Sequence, residues 1–131
     1  SGSKVINLGD LTPTRDFSFV IDTCNGFKLL GESSNVIGET INIGSNTEIS
    51  IDELVNKIKY LMGSDVEIKS DNERIRPKNS EVFRLVCDNQ KIIKLVSYKP
   101  LTDIDSGLRK TIDWVLEPDH LKRYKTEIFN V

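Results

Sequence analysis

The run Ser50-Ile51-Asp52-Glu53, followed by apolar residues at helical spacing and closed by Gly63, constrains this chain more than any other stretch. A serine at the cap and a glutamate three positions on satisfy each other's backbone amides, which have no partner of their own at a helix start. Leu54, Val55, Ile58, Leu61 and Met62 then form one apolar stripe against Asn56, Lys57 and Lys59, and Gly63 supplies the stop. A helix with one buried face is therefore expected here, and the stripe reads as core. Short β-like runs surround it. Lys4 to Leu8, Phe17 to Ile21, Thr40 to Ile43 and Val66 to Lys69 carry β-branched or aromatic residues between turn-forming ones, with Thr12-Pro13-Thr14 as a turn between the first two.

Further helices are expected on either side. Asp22 stands where an N-cap belongs, ahead of Cys24, Phe27, Lys28 and Leu30, with Gly31 as the end. Asp88 is placed to cap a brief helix that turns Ile92, Ile93, Leu95 and Val96 inward before Pro100. Another begins near Asp103, puts Ile104, Leu108, Ile112 and Val115 on one face with Trp114 beside it, and is interrupted by Pro118. The pattern predicts a small mixed α/β domain of short strands and amphipathic helices.

Composition bounds the function. With 37% hydrophobic and 29% charged residues in 131, the chain suits one ordinary domain able to bury a real core. Eighteen basic against 20 acidic side chains leave a formal charge of −2, which removes the general footprint of a nucleic-acid binder and makes any phosphate recognition local. Cys24 and Cys87 sit far apart in apolar or helix-flanking runs, so they are expected as buried free thiols in a reducing compartment. No apolar run reaches the roughly 18 residues that a membrane helix needs, and the start does not read as a secretory signal, so a cytoplasmic setting is expected. Ser1-Gly2-Ser3 reads as a cleavage scar, leaving residues 4–131 as one domain cut from something longer.

Two arginines carry the chemistry. Arg15 in Pro13-Thr14-Arg15-Asp16-Phe17, and Arg76 in Ile75-Arg76-Pro77, lie in extended settings, and Pro77 biases Arg76 away from helix. A guanidinium fork on stiff backbone can grip a phosphate with two parallel hydrogen bonds. Asp16, beside Arg15, reads as a structural partner, and His120, with no second ligand near it in sequence, as a solvent-facing residue. No glycine-rich nucleotide loop, metal-ligand cluster or nucleophile with a base is visible, so no catalytic residue is assigned.

The ordered blocks Asn7-Leu8-Gly9-Asp10, Pro13 to Asp22, Asn42-Ile43-Gly44, Arg76-Pro77 with Ser80-Glu81-Val82, Cys87-Asp88-Asn89 with Lys91, and Leu95 to Pro100 continuing to Trp114 together resemble one family. They are similar to the C-terminal, substrate-binding portion of the extended short-chain dehydrogenase/reductases, the NAD-dependent nucleotide-sugar epimerases and dehydratases. The resemblance implies that Arg15 and Arg76 clamp a substrate diphosphate and that Glu81 accepts from the nucleoside ribose. It also implies an NAD site on an absent N-terminal Rossmann half, because Gly-x-x-Gly-x-x-Gly and Tyr-x-x-x-Lys occur nowhere in this sequence. On that reading the partner is a nucleotide-diphosphate sugar, the parent is a homodimer, and the fragment alone is inactive and self-associates through bared apolar surface. A 4,6-dehydratase and a 4-epimerase both remain open. So does a stand-alone nucleotide-binding or protein-interaction module without catalysis.

Overall fold

The structure, a computed structural model, describes residues 4–71 and 82–122. In chain order its elements are β1 (Val5–Leu8), β2 (Thr14–Arg15), α1 (Val20–Gly31), a 3-10 turn (Ser34–Val36), β3 (Ile49–Ser50), α2 (Ile51–Met62), β4 (Glu67–Ser70), β5 (Arg84–Leu85), α3 (Gln90–Val96), α4 (Ile104–Leu116) and α5 (Pro118–Leu121). The architecture is the expected mixed α/β arrangement. β1 and β4 form a parallel pair with Val5 opposite Glu67 and Leu8 opposite Ser70. A second, three-stranded sheet places β2 between an antiparallel β3 and a parallel β5.

The best-signalled helix forms as its sequence dictates. Ser50 and Glu53 make the reciprocal capping box, and Gly63 closes α2 in the left-handed region at φ 58°, where a Cβ would be strained. The amides of Ile51 and Asp52 donate to the carbonyls of Pro13 and Leu11, which ties the start of α2 to the chain entering β2. Asp103 caps α4 by accepting from the Ser106 amide at 2.9 Å. Asp88 accepts from the Gln90 amide at 3.0 Å from one position before the Asn89 cap of α3, close to the expected role.

Several expectations are corrected. Phe17 to Ile21 is not a strand; the extended pairing falls on Thr14–Arg15, taking the last residue of the expected Thr12-Pro13-Thr14 turn and leaving Arg15 extended as expected, and α1 starts at Val20 behind a Phe19 cap. β-branched residues favour strands only where a pleated surface receives them, and no strand partner lies alongside this segment among the described residues, so local helical hydrogen bonds prevail. Asp22 is accordingly not a cap. It lies in the first turn of α1, is 5% exposed, and accepts from the amides of Leu101 at 3.2 Å and Thr102 at 3.0 Å.

Thr40 to Ile43 is not a strand either. Lys91 Nζ binds the Glu39 carboxylate at 2.7 Å and the Thr40 carbonyl at 2.8 Å, while Asn89 Nδ2 donates to the Gly44 carbonyl at 3.0 Å. Side chains thus satisfy the backbone that a neighbouring strand would otherwise have paired.

The core is thinner than composition suggests. Ile92 and Tyr98 are the buried large hydrophobics among the described residues; Tyr98 packs near Gly26 of α1, where an added Cβ would lie 2.8 Å from Ile43 Cγ2 and 3.3 Å from Tyr98 Cε2. Ile93 and Met62 are exposed, and the rest of the α2 stripe is half-buried. Both cysteines are free thiols, but Cys24 is exposed and Cys87 half-buried, against the expectation of burial.

Candidate functional site

β2 is the centre of the candidate site. Because it is hydrogen-bonded on both edges, with the Thr14 amide donating to Phe83 O and the Asp16 amide to Leu85 O, the backbone carrying Arg15 is fixed rather than free to swing. Arg15 lines a cleft of about 550 Å³, a size suited to a small ligand. Its walls come from β2, the 41–44 loop, the exit of β5 and the Thr23 and Phe27 side of α1. Arg15 is half-buried, and Nη1 donates to the Thr14 carbonyl at 2.8 Å, which holds the guanidinium close to its own strand. Arg76 and Glu81 lie outside the described residues; the block that carries them precedes β5, the strand paired with β2.

Asp16 assembles the cleft. Its carboxylate accepts from the Ser45 amide at 3.1 Å, Ser45 Oγ at 2.5 Å, the Asn46 amide at 2.9 Å and the Cys87 amide at 3.2 Å. One side chain therefore fastens the loop after Gly44 and the chain leaving β5 to the strand that carries Arg15. The expectation of a structural role is met: the carboxylate is held by three backbone amides and the Ser45 hydroxyl. Gly44 is required at the same seam, since a Cβ there would overlap the Cys87 side chain and lie 2.6 Å from its Sγ. Sequence reasoning passed over Asp16 as a hub, Cys87 as a wall and Thr23 as a lining residue, because the donors that meet Asp16 come from 29 to 71 residues away along the chain.

Burial, reinforced by the negative charges of Asp16 and Asp88, pushes the Cys87 thiol up and keeps it protonated at neutral pH. Burial likewise raises the Tyr98 phenol, with Asp22, Cys87 and Asp16 adding to the effect, and its hydroxyl has no hydrogen-bond partner in the structure. Such a phenol is a poor proton acceptor. Across the sheet Arg84 of β5 grips Glu48, beside β3, through Nε and Nη2 at 2.8 to 3.0 Å, and Thr14 Oγ1 of the central strand adds a bond at 2.7 Å. Hydrogen bonds first from Arg84 and then from Thr14 hold the Glu48 carboxyl below its ordinary range. His120 is not simply solvent-facing: Nδ1 lies 2.7 Å from the Trp114 carbonyl and the ring stacks on that indole at 3.9 Å between centroids.

The α2 and α4 N-termini already hold the carboxylates of Glu53 and Asp103, and α1 opens on Phe19 with Asp22 in its first turn.

Comparison with known proteins fixes the relationship. The family described as GDP-mannose 4,6 dehydratase matches residues 1–111. The chain belongs to this family of extended short-chain dehydrogenase/reductases. It is 30% identical over 114 residues to the UDP-glucuronate 4-epimerase of Thermodesulfobacterium geofontis, covering 83% of this chain and 32% of that protein. The fold is similar to an epimerase from Methanothermobacter thermautotrophicus, with a TM-score of 0.79, 30% identity, and 89% of this chain against 34% of that one. It is also similar to a variant of UDP-glucuronic acid 4-epimerase from Bacillus cereus solved with UDP-4-deoxy-4-fluoro-glucuronic acid and NAD, with a TM-score of 0.71, 28% identity, and coverages of 91% and 35%. This family member thus spans about a third of the length of the relatives it matches.

Proposed function

We propose that this chain is the nucleotide-sugar-holding portion of an NAD-dependent nucleotide-sugar 4,6-dehydratase or 4-epimerase. Arg15 and Arg76 grip the diphosphate, Glu81 accepts from the ribose hydroxyls, and a second portion of the family fold holds NAD and supplies the proton acceptor. The observation that carries the reading is Arg15, held on a doubly paired strand in the wall of a ligand-sized cleft, with the strand that follows the Arg76 block paired beside it. Fixing the diphosphate leaves the hexose tethered at one end, so that catalysis by this portion is a matter of placement. The family members solved with a UDP-sugar and NAD support both ligand classes. The choice between dehydration and epimerisation rests on groups that act on the 4-keto sugar, and none of the residues assigned here has that role.

The test is kinetic. In the longer protein containing this sequence, Arg15→Ala and Arg76→Ala should each remove about 2 kcal/mol of charged hydrogen bonding and raise KM roughly 30-fold, with kcat changed less. Unchanged KM in both variants refutes the clamp. Titration of this chain alone with UDP-, dTDP- and GDP-sugars separates the rival module: tight binding by the isolated chain would favour a stand-alone nucleotide-binding domain.

A further inference from the structure

One wall of the Arg15 cleft is built from a segment that belongs to no strand, yet its backbone is anchored at both ends. Lys91 Nζ donates to the Glu39 carboxylate at 2.7 Å and to the Thr40 carbonyl at 2.8 Å, and Asn89, only 3% exposed, donates from Nδ2 to the Gly44 carbonyl at 3.0 Å. Both donors come from the start of α3. Between these ends Ile43 packs on Gly26 of α1, so closely that a Cβ on the glycine would lie 2.8 Å from Cγ2, and beyond them Asp16 takes the amides of Ser45 and Asn46. Packing and hydrogen bonds of this kind hold the side chains of a loop in fixed positions.

Asn42 lies between the anchors. It is exposed and lines the cleft with Arg15, and its side-chain amide bonds to none of the described residues. Both oxygens of Asp16 are already taken by four donors, and Lys91 is engaged with Glu39, so neither is placed to read a ligand. Arg15, a cation with donors alone, suits a phosphate. An amide carries a donor and an acceptor fixed in one plane, which complements a hydroxyl that also gives and takes one bond, whereas a diphosphate only accepts. The hydroxyls of Ser18 and Thr23 line the same cleft, but a hydroxyl hydrogen rotates freely and selects less sharply than a planar amide on a fixed backbone.

We propose that Asn42 is a further ligand-contacting residue of this cleft, its amide exchanging hydrogen bonds with a sugar hydroxyl of the bound nucleotide sugar, and that Lys91 is the positioning residue that holds it there. The inference rests on the nucleotide-sugar reading above. Ribose and hexose both carry such hydroxyls, and the test separates them.

In the longer protein containing this sequence, calorimetric titration with UDP-glucose, dTDP-glucose and GDP-mannose identifies the nucleotide sugar that the native protein binds. The matching nucleoside diphosphate, which lacks the hexose, is titrated beside it. Asn42→Ala should weaken the nucleotide sugar about 10-fold, as the loss of neutral hydrogen bonding in a cleft implies, and leave Tm unchanged because the side chain is exposed and unbonded. An equal weakening of the diphosphate assigns the hydroxyl to the ribose, and an unchanged diphosphate assigns it to the hexose. Lys91→Met keeps the aliphatic stem but loses both bonds; it should weaken the nucleotide sugar several-fold in the native background and not at all when added to Asn42→Ala, whereas a lysine that is merely structural would have the same effect in both. If Lys91→Met does not fold, Glu39→Gln, which weakens the same anchor, takes its place in the cycle. Unchanged affinity in Asn42→Ala, or an effect of the Lys91 change that is equal in both backgrounds, overturns the proposal and leaves the nucleotide-sugar reading standing. A native protein that binds none of the three overturns that reading and the proposal with it.

Discussion

Removing the Asp16 carboxylate should loosen the cleft more than it loosens the rest of the molecule. Asp16→Ala deletes an acceptor for three backbone amides and one hydroxyl, drawn from Ser45, Asn46 and Cys87. Hydrogen bonds to a charged group contribute about 1.5–3 kcal/mol each, but they are not additive, and water can reach a half-exposed carboxylate and replace part of them. A net loss of about 3 kcal/mol is the resulting expectation. With an unfolding entropy of about 2.1 cal/mol/K per residue, a chain of 131 residues has roughly 0.28 kcal/mol/K, so Tm should fall by about 10 °C. Asp16→Asn keeps one accepting oxygen but turns an NH2 toward the amides, and should lie between the two. The assay is thermal unfolding followed by circular dichroism, joined to amide hydrogen exchange. Exchange should accelerate at Ser45, Asn46 and Cys87 and stay unchanged at Glu67 and Asp71, whose amides bond across the separate β1–β4 pair. A fall of less than about 2 °C, or acceleration spread evenly over both sheets, would refute the idea that this side chain assembles the cleft.

Two further outcomes are expected. Gly44→Ala should destabilise by about 3 kcal/mol, the upper end for overpacking, because Asn89 holds the Gly44 carbonyl and Asp16 the next two amides, so the backbone cannot retreat from Cys87; in chemical denaturation, adding Cys87→Gly should recover much of the loss, and no recovery would locate the strain elsewhere. Lowered carboxyl pKa values at Glu53, Asp103, Glu39 and Glu48, caused chiefly by hydrogen bonds from Ser50, Ser106, Lys91 and Arg84 respectively, mean that the folded state binds fewer protons than the unfolded chain. Their stabilisation is therefore complete above the ordinary values of 4.5 and 3.8 and is lost as pH falls through the lowered ones, so Tm should be level from pH 7 to about 5 and then drop; a Tm that rises on acidification below pH 5 contradicts the assignment.

What the sequence determined by itself is whatever depends on residues close together along the chain. The Ser50–Glu53 box, the Gly63 stop, the Asp103 cap, the Pro118 interruption and the strands at Val5–Leu8 and Glu67–Ser70 are local hydrogen-bonding and steric facts, and the structure places them as the pattern implies. The ordered blocks around Arg15 likewise carried the family, because that ordering survives without knowledge of any contact. The tertiary structure decided the rest. Val20 and Ile21 carry strand propensity, yet helix wins where no strand partner lies alongside them, and the carbonyls of Thr40 and Gly44 are taken by Lys91 and Asn89 from far along the chain. Asp22 looks like a cap until the amides of Leu101 and Thr102 arrive, and Asp16 becomes the hub of the cleft only when two distant loops converge on it. A carboxylate's role is set by whichever donors folding brings to it, and local spacing does not record donors that come from 30 to 80 residues away.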